Sequence, residues 1–277
     1  MKPFKLSMVV APPEAKFEAV VRETLDDALK ILVETGFDGV ELSILDPKKH
    51  QGIEKKVSEY GLEVPALSTG LNYLHYKLSL TSPDPTLREK AIERLTEIAE
   101  LGHRLGGAGV IIGLMRGRLE NGVKPQDAYS LLVENLKKVC RNAAEYGVDV
   151  FFEPLNRYET QIINTVSEGL KLLEDVNEEN LYLLLDTFHM NIEEKVIEDS
   201  IRMANGKIGH FHVADSNRLA PGMGHIDFAS ILHALKDAGY NKYLSAEIIV
   251  KPDLETAAKV TMNTLKLAMV ELEEEND

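Results

Sequence analysis

A single cysteine among 277 residues, Cys140, rules out an internal disulfide. It sits in an amphipathic stretch with Leu136, Val139 and Ala143, so it reads as a buried structural thiol rather than a nucleophile. No apolar run approaches the roughly 18 residues of a membrane-spanning helix, and the start Met1-Lys2-Pro3-Phe4-Lys5-Leu6 lacks the apolar run of a signal peptide. The expectation is a cytoplasmic protein without membrane contact. Positive charge is also scarce: 31 Lys and Arg stand against 45 Asp and Glu, a formal net charge of −14. That excess repels a phosphate backbone, and no basic patch offsets it, so nucleic acid is excluded as an expected partner.

What is present is the composition of a globular protein, 44% hydrophobic and 27% charged. Barrels of roughly 250 residues routinely form one domain, so residues 1–277 are read as one unit. Short runs rich in Val, Ile and Leu recur at 6–11, 39–43, 64–68, 109–114, 148–153, 181–186, 208–213 and 244–248, separated by segments with helical periodicity. Eight such βα units predict a closed (β/α)₈ TIM barrel. Asp84-Pro85 opens the third helix, whose apolar face runs through Leu87, Ala91, Leu95, Ile98, Ala99 and Leu101-Gly102 and breaks at Gly106-Gly107. The fourth starts after Pro125, and the last spans 254–272 before Glu273-Glu274-Glu275-Asn276-Asp277, read as a frayed solvated terminus. A doubly wound open sheet is disfavoured because Ala11-Pro12-Pro13-Glu14 stands where a Gly-rich phosphate turn would follow the first strand.

In a barrel, function gathers at the C-terminal ends of the strands. Glu153, Asp186, His212 and Glu247 lie at or near the ends of strands 5 to 8, about one βα unit apart, and closure brings them to one mouth. Each alone fits a helix cap or an ion-pair partner. Together, three carboxylates and one imidazole suit a hard divalent ion such as Mn²⁺, with Co²⁺ or Mg²⁺ as alternatives.

Three stretches carry a family resemblance: Phe152-Glu153-Pro154-Leu155-Asn156-Arg157-Tyr158-Glu159, then Leu185-Asp186-Thr187-Phe188-His189-Met190-Asn191-Ile192-Glu193-Glu194, then His210-Phe211-His212-Val213-Ala214-Asp215-Ser216-Asn217-Arg218 followed by Pro221-Gly222-Met223-Gly224-His225-Ile226-Asp227-Phe228. They resemble the D-tagatose 3-epimerase group of the xylose-isomerase-like barrels. The resemblance implies that Glu153, Asp186, His212 and Glu247 ligate the metal, that Glu153 and Glu247 form the acid/base pair, and that Glu159, His189 and Arg218 hold substrate oxygens. His210 is read as supporting rather than ligating, and His225 receives no role. The implied partner is a small ketose or keto-sugar acid, with a homo-oligomer allowed. Such epimerases invert the carbon beside a ketone. A metal stabilises the developing enediolate charge, while one glutamate removes a proton from one face and the other returns it to the opposite face.

Relatives acting on free ketohexoses place tryptophans around the substrate, and this chain has no Trp, so its pocket must differ. After strand 4, Gly113-Leu114-Met115-Arg116-Gly117-Arg118 puts arginines near the mouth. They read either as a solvated loop or as Arg116 or Arg118 clamping a carboxylate or phosphate at the far end of the substrate. The second reading accords with a similarity to 5-keto-L-gluconate epimerases, which form D-tagaturonate. Rival readings are an aldose–ketose or hydroxypyruvate-type isomerase and a catalytically silent sugar-binding barrel. A metal-cluster DNA-repair endonuclease lacks the further His and Asp ligands and the basic face that it would need.

Overall fold

The structure, a computed structural model, describes residues 2–120 and 123–274. Eight parallel strands close into a barrel in sequence order: β1 (Lys5–Val10), β2 (Glu41–Ser43), β3 (Ala66–Ser68), β4 (Gly109–Ile112), β5 (Val150–Phe152), β6 (Leu181–Asp186), β7 (Ile208–Val213) and β8 (Tyr243–Ala246). Closure is direct, with Met8 of β1 opposite Ala246 of β8. Several strands are shorter than the apolar runs implied, so Glu153 and Glu247 lie just past β5 and β8, where the chain turns from ladder to loop.

Alternation along each strand sorts the core into two compartments. Phe151 faces inward with Ala66, Ile111 and Leu184, while Phe152 faces outward into the large cluster between barrel and helices. Glu153, two residues past Phe151, therefore returns to the inside. The outer cluster takes the apolar faces of the helices, including Ala91, Leu95, Ile98 and Ala99 of Pro85–Arg104, and burying each large aliphatic side chain stabilises the fold by ~1.5–3 kcal/mol.

The helix that the sequence opens at Asp84-Pro85 is there: the Asp84 carboxylate accepts from Thr86 N–H at 2.8 Å and Pro85 sits in the first turn. It is not the first helix after β3, because Gly70–Tyr76 precedes it. Pro125 begins its helix (Pro125–Ala144) rather than preceding it. Cys140 is buried, and burial pushes its thiol up to about 12, as an inert core residue requires. The last helix continues to Glu274; residues 275–277 of the expected frayed terminus lie outside the described residues. Among the described residues no helix is long and apolar enough to cross a membrane.

Candidate active site

The C-terminal mouth of the barrel gathers the four residues singled out from the spacing. Ligand atoms of Glu153, Asp186, His212 and Glu247 all lie within 4.8 Å of one another, and all four side chains are buried. Register explains part of this: Asp186 and His212 are direct partners across β6 and β7, and His212 pairs in turn with Ser245, two residues before Glu247.

The individual side chains are then fixed by local contacts. Asp186 caps the helix Thr187–Glu193, one oxygen accepting from Phe188 N–H at 2.7 Å, and its other oxygen is buried without a partner. The cap and the ligand readings thus coexist on one carboxylate. Glu153 stands against Gly113, where an added Cβ would come within 2.6 Å of Oε2; a side chain at 113 would displace the carboxylate. Glu153 Oε1, Asp186 Oδ2, His212 Nδ1 and His189 Nε2 are all buried and unpartnered. His212 Nδ1 lies 3.8 Å from Glu153 Oε1 and 3.9 Å from Asp186 Oδ2. Buried polar atoms are normally satisfied, so Glu153 Oε1, Asp186 Oδ2 and His212 Nδ1, gathered with Glu247 around one point, fit a cation's coordination sphere.

His189 has its Nδ1 facing the side-chain amide of Asn156 at 2.8 Å, which leaves Nε2–H directed at the carboxylates, 3.7 Å from Glu153. Burial, reinforced by Arg218, holds this imidazole well below its usual range, hence neutral. Arg218 sits at a left-handed φ of 62° and bonds Glu159 at 2.8 Å and Glu247 at 2.9 Å, its guanidinium 4.7 Å from the Phe188 ring and 5.1 Å from Phe17. Its loop is built around Asp215, whose carboxylate accepts from the backbone N–H groups of Ser216, Gly222 and Ile226. His225 lies exposed on that loop and is not among the residues lining the cleft.

Burial raises the carboxyls of the centre. Glu247 is pushed up to about 7 by desolvation, and Glu153 is raised well above the carboxylate range by desolvation and by the charge of Glu247. Asp186 is raised by burial too. For His212, burial opposes the charged form, but the Glu41 carboxylate outweighs it and takes the imidazole up to about 10.

Two features depart from the sequence reading. Arg116 does not reach the mouth: it is fully buried, and its guanidinium donates to the main-chain carbonyls of Gly113, Ile162 and Ile163 at 2.9–3.1 Å while lying 4.1 Å over the Phe152 ring. With its donors spent on carbonyls that need them, it cannot clamp a substrate carboxylate. Arg118 is exposed and does not line the cleft. The second feature is Glu41 of β2, absent from the sequence reading. Fully buried inside the barrel, it accepts from Ser68 Oγ and from the Nε2 atoms of His210 (2.9 Å) and His212 (3.0 Å). A carboxylate inside the run Val40-Glu41-Leu42, in a strand that a parallel barrel buries on both faces, was the available signal. The cleft above the centre has an apolar wall that includes Phe17, Val20, Leu71, Leu74, Leu114 and Leu155.

The profile of the xylose isomerase-like TIM barrel family matches residues 29–267. An L-ribulose 3-epimerase of Mesorhizobium japonicum is 39% identical over 217 residues, covering 77% of this chain and 72% of its own. A D-psicose 3-epimerase of Agrobacterium fabrum is 31% identical over 81% of this chain and 78% of its own. A solved L-ribulose 3-epimerase structure superposes with a TM-score of 0.84 at 30% identity, covering 97% of this chain and 96% of that one.

Proposed function

Because the chain belongs to the xylose isomerase-like TIM barrel family and, within it, to the ketose 3-epimerases, we propose that it epimerises a small neutral ketose at the carbon beside the carbonyl. Glu153 and Glu247 are the proton-transfer pair, and a divalent metal, Mn²⁺ by the hardness of its donors, is held by Glu153, Asp186, His212 and Glu247. The observation that carries this reading is the convergence of unpartnered buried ligand atoms between two glutamates on strands three places apart in the ring.

When bound, the cation stabilises the negative charge that develops as a proton leaves a carbon next to a carbonyl. The rest falls to side chains. Glu153 and Glu247 face the substrate carbon from different sides, so one removes the proton and the other supplies its replacement, with roles exchanged in the reverse direction. His189 donates its Nε2–H to a substrate oxygen, with Asn156 fixing the tautomer. Glu159 and Arg218 line the cleft and bind hydroxyls, and Arg218 orients Glu247 through their 2.9 Å contact.

Neutral substrates are favoured by charge. The sole cationic side chain lining the cleft among the described residues is Arg218, already committed to Glu159 and Glu247. A keto-acid's carboxylate would meet the apolar wall instead.

Glu153→Gln and Glu247→Gln, each assayed on metal-loaded protein with metal content measured, test the pair. Epimerisation of L-ribulose or D-psicose is expected to fall by ~10²–10⁴-fold. In deuterated solvent each variant is expected to exchange hydrogen in only one epimer, without inversion. A loaded variant that epimerises at nearly the wild-type rate removes that glutamate from the mechanism.

A further inference from the structure

Interior layers of barrels of this kind are filled by branched apolar side chains. Glu41 breaks that rule: a fully buried carboxylate sits in the middle of the barrel, where desolvation costs several kcal/mol unless partners offset it. It is not among the residues lining the cleft, so contact with substrate does not account for it. Its hydrogen bonds do. Ser68 of β3 donates to Oε1, and His210 and His212 of β7 both donate to Oε2. His210 is itself braced by the Phe151 ring, stacked at 5.7 Å, and meets His212 edge-on at 5.3 Å. The carboxylate is therefore held from both sides of the barrel.

The consequence falls on His212. A ligating imidazole is neutral, and in the neutral ring that gives its Nε2–H to a carboxylate the lone pair is on Nδ1; this Nδ1 is the unpartnered atom that faces Glu153 and Asp186. We propose that Glu41 is a positioning residue that orients His212 through Nε2 and leaves Nδ1 free to ligate the divalent cation. This inference rests on the metal reading given above.

The chemistry of the contacts supplies a graded test. In Glu41→Gln the amide oxygen can take both imidazole N–H groups while the amide nitrogen donates to Ser68 Oγ, so the orientation survives and the charge is lost. Glu41→Ala loses both. Dissociation constants for Co²⁺ are to be measured by chelator competition on the full chain, with the visible absorption of bound Co²⁺ reporting imidazole ligation. Affinity is expected to weaken by ~10-fold in Glu41→Gln and by ~100-fold in Glu41→Ala, the range typical of carboxylates that support a metal-bound histidine. At saturating metal, Glu41→Gln is expected to recover kcat to within a few-fold, whereas Glu247→Gln is not, since Glu41 does not touch the substrate. Thermal denaturation checks folding, and if the alanine variant does not fold, the glutamine variant decides alone. Wild-type protein that binds Co²⁺ while the folded Glu41 variants bind it equally well, with an unchanged spectrum, overturns the role of Glu41 and leaves the metal site standing. Wild-type protein that binds no Co²⁺ overturns the metal site, and this inference with it.

Discussion

Arg116→Met separates two incompatible accounts of one arginine. If the guanidinium is an internal tether, the substitution removes a charged donor from the carbonyls of Gly113, Ile162 and Ile163, while the unbranched Met side chain still covers Phe152. Hydrogen bonds to charged groups contribute ~1.5–3 kcal/mol each. Relief of the desolvation borne by the buried guanidinium offsets part of that, leaving a net loss of about 3–5 kcal/mol. With an unfolding entropy of about 2.1 cal/mol/K per residue, a loss near 4 kcal/mol lowers Tm by ~7 °C in a chain of this length. Arg116 also favours the ionised form of Glu153 electrostatically, so kcat is expected to fall for every substrate alike. The assays are differential scanning calorimetry and kcat/KM for a neutral ketose against a keto-hexonate. An unchanged Tm with a selective loss on the keto-hexonate would show that the arginine does clamp a substrate carboxylate and that the tether reasoning is wrong.

Saturation with Mn²⁺ at about 100 times its Kd is expected to stabilise the protein by ~2.7 kcal/mol, read as a Tm several degrees above that of the chelated sample; equal Tm values, with no metal retained, would remove the metal from the account. Gly113→Ala drives a methyl into Glu153 Oε2 and is expected to lower kcat by ~10–100-fold with the fold intact by circular dichroism, since small misplacements of a reacting group carry losses of that order. Asp84→Ala removes the cap at Thr86 N–H from a residue that does not line the cleft, and is expected to destabilise by ~1 kcal/mol in urea denaturation while leaving kcat unchanged.

The barrel and its mouth were legible because both depend on periodicity. Apolar runs at βα spacing fix the strand order, and a polar residue ending a run must lie at the C-terminal rim. Glu153, Asp186, His212 and Glu247 could therefore be grouped from the sequence before any side chain was placed, and the structure brings them together. Arg116 was misplaced because position alone does not tell which way a long side chain turns. It follows β4 as expected, but the nearby loop that passes through Ile162 and Ile163 leaves carbonyls pointing inward, and the arginine turns away from the mouth to meet them. That demand comes from a segment 46 and 47 residues away in the chain, and local patterning carries no trace of it.

Glu41 and Arg116 show the same physics acting in opposite directions. Each is a fully buried ion, and each is tolerated because every polar atom of its side chain meets at least one hydrogen-bond partner. Arg116 spends its donors on backbone carbonyls and so acts on the shape of the β4 and β5 loops, including the ground beneath Glu153. Glu41 spends its acceptors on side chains, two of them imidazoles, and so acts on where a lone pair points. The Arg116 guanidinium thereby lines no part of the cleft, which leaves Arg218 between Glu159 and Glu247 as the cationic side chain lining it among the described residues. A pocket with that balance has no unspent cation for an anionic tail, and its far wall of Leu71, Leu74 and Leu114 offers a neutral sugar contact without charge. On the proposed reading, the preference for a neutral sugar follows in part from a residue that does not line the cleft, because the buried Arg116 offers its guanidinium to backbone carbonyls rather than to an anionic tail.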